Sequence, residues 1–123
     1  MNSIIFTLIL LAVFFNTVAQ LVLKVGMEKI GTFAFSWSNF IPIILKAAAS
    51  PWIVLGIIIY VGSVGVWLMV LSRAPISIAY PISSLGYITS AIAAYYLLGE
   101  DLNMIRVAGI IVILLGVYMV AKS

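Results

Sequence analysis

Four long stretches of the chain carry no charged side chain, and they constrain its fold more than any other feature. No Lys, Arg, Asp or Glu occurs in residues 1–23, 47–72, 74–99 and 107–121. A helix needs roughly 20 apolar residues to cross about 30 Å of hydrocarbon, so the first three stretches are long enough. The fourth reaches that length when Met104 and Ile105 are added and Arg106 extends its guanidinium to the headgroups. The sequence therefore predicts an all-α polytopic membrane protein with four transmembrane helices.

These spans use most of the chain, so residues 1–123 are predicted to form a single transmembrane domain. We expect helices over residues 4–23, 51–71, 76–98 and 104–121. No basic residue precedes the first apolar run, which favours a first span over a cleaved signal peptide. Between the first two spans, the segment 37–46 is too short to cross a membrane and carries an interfacial Trp37 and a Lys46. We therefore expect a short interfacial helix there.

Several residues predict where the helices end, begin and bend. Lys24 is expected to close the first span, and Pro51 to open the second at a first-turn position. Either Asp101 or Asn103 is expected to cap the fourth. Pro81 has no backbone N–H and frees the carbonyl four residues before it. We therefore expect a kink in the third span.

The missing residue types exclude most catalytic and metal-binding chemistry. The chain contains no Cys and no His, and its three carboxylates, Glu28, Glu100 and Asp101, lie in or beside predicted loops. A base and a nucleophile cannot be brought together inside the membrane, so we predict no catalytic residue, no metal, no cofactor and no enzyme activity. The six basic residues form no cluster, which favours headgroup anchoring over nucleic-acid binding.

Polar and aromatic side chains recur on one face of each of the first three spans. In hydrocarbon such groups need partners, so they mark either helix contacts or a substrate pathway. Each set follows the three-to-four residue spacing that places side chains on one helix face. The candidate substrate-binding residues are Asn16, Gln20 and Lys24 in the first span, Tyr60, Ser63 and Trp67 in the second, and Tyr80, Ser83, Ser84 and Tyr87 in the third. Three such stripes predict a shared semi-polar cavity, with interhelical hydrogen bonding as the alternative.

The fourth span has almost no polar atoms but carries two glycines, Gly109 and Gly116, two helical turns apart. Small residues on one face let helices approach closely in lipid. Packing within the chain and contact in a dimer both explain the spacing. Because four helices barely enclose a path for a solute, we expect a dimer contact.

The third and fourth spans resemble the drug/metabolite transporter superfamily, including its EamA-like and small multidrug resistance branches. The resemblance rests on residues 71–81, Leu-Ser-Arg-Ala-Pro-Ile-Ser-Ile-Ala-Tyr-Pro, followed by Leu98-Gly99-Glu100. Residues 109–117 are similar to the helix-four dimerisation motif of the small multidrug resistance proteins. The resemblance implies a multi-pass transporter in the bacterial plasma (inner) membrane that works as a dimer, with an antiparallel arrangement left open.

One departure separates this chain from the small multidrug resistance proteins. Those proteins use a glutamate in helix one for proton coupling and a tryptophan in helix three. When Lys24 is placed on the family's helix-one lysine, Asn16 and Ser83 occupy those two positions. Without a titratable carboxylate in the membrane, proton-coupled export of small cations loses its physical basis.

A second resemblance concerns the half-sized flippase subunits that move aminoarabinose linked to undecaprenyl phosphate. Ala79-Tyr80-Pro81 and the pair of Gln20 with Lys24 match their pattern. This resemblance implies membrane lipid and a lipid-linked or sugar-bearing small molecule as partners, alternating access, and a homodimer or heterodimer. A lysine near the membrane boundary suits a lipid phosphate. A proton-coupled exporter of small organic cations and a non-transporting assembly subunit stay open as alternatives.

Overall fold

The computed structural model describes residues 3–31 and 36–123, and these residues form six helices with no strand among them. The helices are α1 (Ser3–Ile30), α2 (Trp37–Ala49), α3 (Pro51–Leu71), α4 (Ile76–Ser83), α5 (Leu85–Leu98) and α6 (Met104–Lys122). When α4 and α5 are counted as one span, Ile76–Leu98, four helices are long and apolar enough to cross a membrane. The prediction of an all-α membrane protein with four transmembrane helices is confirmed.

Helix boundaries follow from local interactions that the sequence carries. Pro51 is the first residue of α3, and the Ser50 hydroxyl accepts a hydrogen bond from the backbone N–H three residues on, at 3.4 Å. The Asn103 side-chain oxygen accepts from the backbone N–H of Arg106 at 2.9 Å and caps α6, as one of the two predicted caps. Gly99 follows α5 with φ 70°. Glycine adopts this left-handed conformation without steric cost.

The first helix continues well beyond its predicted end. The prediction that Lys24 closes it is wrong, because α1 runs to Ile30 and Gly31 follows with φ 86°. Lys24 Nζ lies 4.0 Å from Glu28 Oε1, one turn further along the same helix. Such an i,i+4 pair is compatible with helix. The first charge of the chain therefore does not end the helix. Residues 32–35 of the predicted connection lie outside the described residues.

The third span is interrupted at Ser84, three residues beyond Pro81, which itself lies inside α4. The kink predicted at the carbonyl four residues before Pro81 stays a prediction. The Ser84 N–H donates to the Pro81 carbonyl at 3.1 Å, and the Tyr87 N–H donates to the Ser84 carbonyl at 2.9 Å. Both bonds close tight i→i+3 turns. The span therefore consists of two half-helices, α4 and α5, joined at mid-depth.

The short helix α2 lies at the edge of the bundle and buries none of its residues. Trp37, Ile41 and Leu45 are 91%, 65% and 63% exposed, and their spacing places them on one face. Lys46 lies away from that face. This pattern is typical of a helix lying in the membrane interface, in agreement with the predicted short helix.

The helix α1 packs most extensively against α3, and glycines allow the two backbones to approach. A Cβ placed on Gly56 would lie 2.7 Å from Leu23 Cγ and 3.3 Å from the Ala19 carbonyl oxygen. A Cβ on Gly26 would lie 2.6 Å from Ile53 Cδ1. Small residues at such crossings stabilise helix pairs in lipid, because the hydrophobic effect does not drive helices together there and close packing must do so.

The other helices join this pair through a small buried core near the opposite end of the bundle. Its members come from α1, α3, α4 and α6, and they are Ile9, Val13, Val70, Ala79, Ile82 and Val117. Ile9, Val70 and Ile82 are fully buried. The core holds α4 and α6 against the start of α1, and Leu85 at the start of α5 packs against it.

Replacing Gly56 with alanine should lower the free energy of unfolding by about 1–3 kcal/mol, because an extra methyl is forced into a filled contact. Gly62→Ala on the same helix is the matched control, since nothing lies within 4 Å of its Cβ position. Alanine is the better helix former, so the control should be neutral or slightly stabilised. Reversible unfolding in mixed micelles measures both. Equal stability of the two variants would contradict the close approach of α1 and α3.

Candidate substrate cavity

A cavity of about 480 Å³ lies among α1, α3, α4 and α5. Its volume is within the range of about 300–1,000 Å³ that is usual for small-molecule sites. The lining residues are Ala12, Val13, Asn16 and Gln20 of α1, Tyr60, Ser63, Val64 and Trp67 of α3, Tyr80, Pro81 and Ser83 of α4, Ser84 at the interruption, and Gly86, Tyr87 and Ser90 of α5. Most of them lie near the middle of their spans. A site at mid-depth beside a broken helix has the geometry of a secondary transporter.

The three polar stripes predicted from the sequence converge on this cavity. Nine of the ten candidate substrate-binding residues are among its lining residues, and Lys24 is the exception. It lies one turn beyond Gln20 on α1, with its side chain about half exposed. The predicted role of all ten in substrate binding stays a prediction.

Two amide side chains on α1 face the cavity without a partner in the chain. Asn16 is partly buried and Gln20 is exposed, one helical turn further along. Neither amide is hydrogen-bonded to any residue that the structure describes. Each amide offers two donors and an acceptor oxygen. The pair therefore presents free hydrogen-bonding capacity at mid-depth, where unpaired polar groups are costly.

Two serines of the lining present mainly acceptor oxygens. The Ser63 hydroxyl donates to the Tyr60 carbonyl at 2.6 Å, and the Ser83 hydroxyl donates to the Tyr80 carbonyl at 2.5 Å. A hydroxyl carries one proton, so each serine uses its donor on its own helix. Their lone pairs remain available to a hydroxyl or amine donor in the cavity.

Aromatic rings form the wall between α3 and the broken span. The Trp67 and Tyr80 rings meet edge to face with centroids 6.2 Å apart. Tyr80 and Tyr87 are 62% and 67% exposed although both line the cavity. Each ring offers an apolar face and a polar tip. The cavity is thus open along this wall.

The cavity is electrically neutral, and the charges lie outside it. No Asp, Glu, Lys or Arg occurs among its lining residues. In residues 3–31 and 36–123 there is also no group of three metal-binding side chains. Lys24 and Lys29 stand at the end of α1, where Lys24 is paired with Glu28 and Lys29 Nζ lies 5.0 Å from the centre of the Trp52 ring. A basic rim therefore stands beyond the Gln20 end of a neutral cavity.

Sequence reasoning missed a hydrogen bond that joins two walls of the cavity. Thr17 Oγ1 and Thr89 Oγ1 lie 2.6 Å apart and link α1 to α5. Thr17 is one residue off the Asn16 stripe, and Thr89 stands one residue before Ser90. A hydroxyl near the middle of each of two neighbouring spans is the signal that could have suggested the pair.

The two glycines of α6 lie on the exposed surface of the bundle. Nothing lies within 4 Å of a Cβ built on Gly109 or Gly116. The helix instead contacts the bundle through Ile113, Val117 and Val120. Packing within the chain therefore does not explain the glycine spacing, and the dimer contact stays a prediction.

Comparisons with known proteins agree with this architecture. A model of the EamA-like transporter family matches residues 3–122. The chain is 36% identical over 125 residues to a probable 4-amino-4-deoxy-L-arabinose-phosphoundecaprenol flippase subunit ArnF of Shewanella sediminis, covering 92% of this chain and 84% of the relative. It is 35% identical to a probable ArnF subunit of Proteus mirabilis, covering 87% of this chain and 84% of the relative. It is 28% identical to a probable ArnE subunit of Pseudomonas fluorescens, covering 94% and 96%. No solved structure matches the chain.

These matches confirm the resemblance drawn from the third span and from Gln20 with Lys24. The family match extends over almost the whole chain, including all four spans and the residues of the cavity. The relatives named as flippase subunits are matched over more than four fifths of their length. The chain is therefore a multi-pass bacterial inner-membrane protein that belongs to the EamA-like transporter family, a transporter and not an enzyme.

Proposed function

We propose that this chain is one subunit of a dimeric flippase that moves a lipid-linked, sugar-bearing substrate by alternating access. The observation that carries the proposal is the neutral cavity at mid-depth, in which the Asn16 and Gln20 amides have no partner within the described chain. The printed names of the relatives support the same class of substrate.

The lining of the cavity has the chemistry that a sugar requires. A sugar hydroxyl both donates and accepts, and the amides of Asn16 and Gln20 offer donors and acceptors to match it. Ser63 and Ser83 accept through oxygens whose protons are already used. Tyrosine and tryptophan rings provide apolar faces for the C–H surface of a sugar ring. No charged group competes for the site.

A phosphate on the same substrate would be held outside the cavity, at Lys24. One helical turn is about 5.4 Å, which is the distance along α1 from Gln20 to Lys24. The ion pair of Lys24 with Glu28 is long, at 4.0 Å, and both side chains are about half exposed. Exposed ion pairs are weak, so a phosphate can displace the glutamate and form a stronger charge-assisted bond.

The open aromatic wall allows a lipid tail to remain in the bilayer. Tyr80 and Tyr87 line the cavity and are yet mostly exposed at the surface of the bundle. The headgroup can therefore occupy the cavity while the polyprenyl chain stays in lipid. A polyprenyl chain that stays in the bilayer keeps its apolar surroundings, whereas its passage through a polar cavity would leave polar groups without hydrogen-bond partners at a cost in free energy.

We assign the exposed glycine face of α6 to the dimer contact. Gly109 and Gly116 leave a flat strip with no neighbour within 4 Å, and close backbone approach favours helix association in lipid. The partner is a second copy of this chain or a related subunit. If the partner is a second copy, the chain produced alone should form a dimer of twice its mass. If the partner is a related subunit, the chain produced alone should be a monomer.

Proton-coupled export of cations has less support than the flippase proposal. It needs a carboxylate that alternates between charged and neutral forms at the binding site. The nearest carboxylate along α1 is Glu28, two turns beyond Gln20 and outside the lining residues. A pure assembly subunit, in contrast, would tolerate changes in the cavity, and the binding experiment below separates it from a flippase.

The first prediction from the proposed function concerns water in the cavity. In a chain without Cys, the single variants Tyr60→Cys and Val61→Cys differ only in the face of α3 that they occupy. The first position lines the cavity and the second, 62% exposed, faces outward. A membrane-impermeant, charged thiol reagent should modify Y60C at least tenfold faster, because thiolates form in water and not in hydrocarbon. Equal rates would contradict an aqueous cavity.

The second prediction concerns substrate binding. Gln20→Ala should weaken binding of a polyprenyl-phosphate-linked amino sugar by about tenfold, since a polar substrate group loses its partner. Phe14→Ala, on the outer face of α1 and 61% exposed, is the control and should bind normally. Native mass spectrometry of the gently purified protein with the added lipid measures both. Unchanged binding in Q20A would contradict the proposal that the cavity binds the sugar.

The third prediction concerns assembly. Gly116→Leu should shift the protein from dimer to monomer, because a large side chain keeps the helices apart. Ala108→Leu is the control, since it introduces the same side chain at another exposed position of the same helix. The measurement is the mass of the protein released from micelles at fixed concentration. A wild-type chain that is monomeric would point to a related subunit as the partner, and a stable G116L dimer would contradict the assignment of the contact.

A further inference from the structure

We infer that the hydrogen bond between Thr17 and Thr89 is a positioning contact that holds α5 against α1 and so sets the width of the substrate cavity. The positioning of the two helices is independent of the proposed function. Its consequence for substrate binding rests on that function, and the experiment below tests the two parts separately.

The direction of the hydrogen bond follows from its surroundings. The two Oγ1 atoms lie 2.6 Å apart, and Thr17 is 7% exposed. Thr89 also donates to the Gly86 carbonyl at 3.1 Å. Because a hydroxyl has one proton, Thr89 must accept from Thr17 while it donates to its own helix. The bond therefore connects the α1 side chain through Thr89 to the backbone of α5.

The bond lies in the seam between the two helices and next to the cavity lining. One turn away, a Cβ built on Gly86 would lie 3.9 Å from Val13 Cγ1, and both residues line the cavity. Asn16 directly precedes Thr17, and Ser90 directly follows Thr89. A shift of α5 away from α1 would therefore separate lining groups on the two walls from each other.

The sparse attachment of α5 to the core gives this contact its importance. The helix α4 belongs to the buried core with α6, whereas of α5 only Leu85, directly after the interruption at Ser84, packs against that core. Within residues 3–31 and 36–123, no second side-chain hydrogen bond joins two membrane-spanning helices. Such bonds are worth about 0.6 kcal/mol on average in membrane proteins, which corresponds to about a threefold change in an equilibrium.

Valine variants remove the bond without leaving a buried polar group unpaired. In Thr17→Val, Thr89 keeps its hydrogen bond to the Gly86 carbonyl. In Thr89→Val, the Thr17 hydroxyl can turn to the carbonyl four residues before it in α1. Valine also matches threonine in shape. Both variants should therefore fold, and their effect should fall on the cavity.

The test of the contact uses the absence of cysteine from the chain. A V13C/G86C pair in the full chain in lipid nanodiscs should form a disulfide under mild oxidation. The rate of disulfide formation measures how closely α1 and α5 approach each other. Adding Thr17→Val or Thr89→Val should slow this rate by about threefold, whereas Thr17→Ser should restore it. Thr7→Val is the control, because the Thr7 hydroxyl donates within α1 to the Ser3 carbonyl at 2.8 Å. An unchanged rate in both valine variants would overturn the inference.

The test of the consequence uses substrate affinity. Each valine variant should raise the Kd of the polyprenyl-phosphate-linked amino sugar by about threefold, and the double variant by no more than either single one. Additive losses would show that the two threonines act separately and would overturn the link to the cavity. If the wild type does not bind this lipid at all, the proposed function fails, and the disulfide rates still decide the positioning contact.

Discussion

The need to satisfy every polar group inside hydrocarbon governs this structure at each level. Backbone N–H and C=O groups find no water there, so the chain must be helical wherever it crosses. The same rule applies to side chains. Ser63 and Ser83 donate to their own helices, and Thr17 bonds to Thr89. Asn16 and Gln20 stand apart because they face a cavity, and it is this exception that marks the candidate site.

Charge is distributed by the same constraint. A carboxylate or ammonium group at mid-depth costs several kcal/mol unless it is paired or hydrated. The chain keeps its lysines, its arginines and all three carboxylates at the helix ends and in the loops, and lines its cavity with neutral groups. Under the proposed function, the substrate would place its neutral polar part in the cavity and its charge at the rim. This division separates the site from one that couples transport to a carboxylate.

The fold could be predicted from the sequence because hydropathy and length suffice for spanning helices. That these residues line one cavity could be predicted as well, because Asn16 with Gln20, and Tyr80 with Ser83 and Tyr87, recur at helical spacing. The end of α1 could not be predicted from Lys24, since a charge ends the hydrocarbon segment but not the helix. The Thr17–Thr89 bond depends on how α5 packs against α1, and residue spacing within one helix carries no information on that.

The packing of the third span connects the core of the bundle to the cavity. Glycines hold α1 and α3 together, and a buried core holds α4 and α6 to the start of α1. Leu85, directly after the interruption at Ser84, packs against that core, and α5 also contacts α1 and α6 while its side chains complete the cavity. The Thr17–Thr89 hydrogen bond lies within the contact of α1 with α5. In the proposed positioning role, this one hydroxyl pair therefore couples helix packing to the width of the cavity.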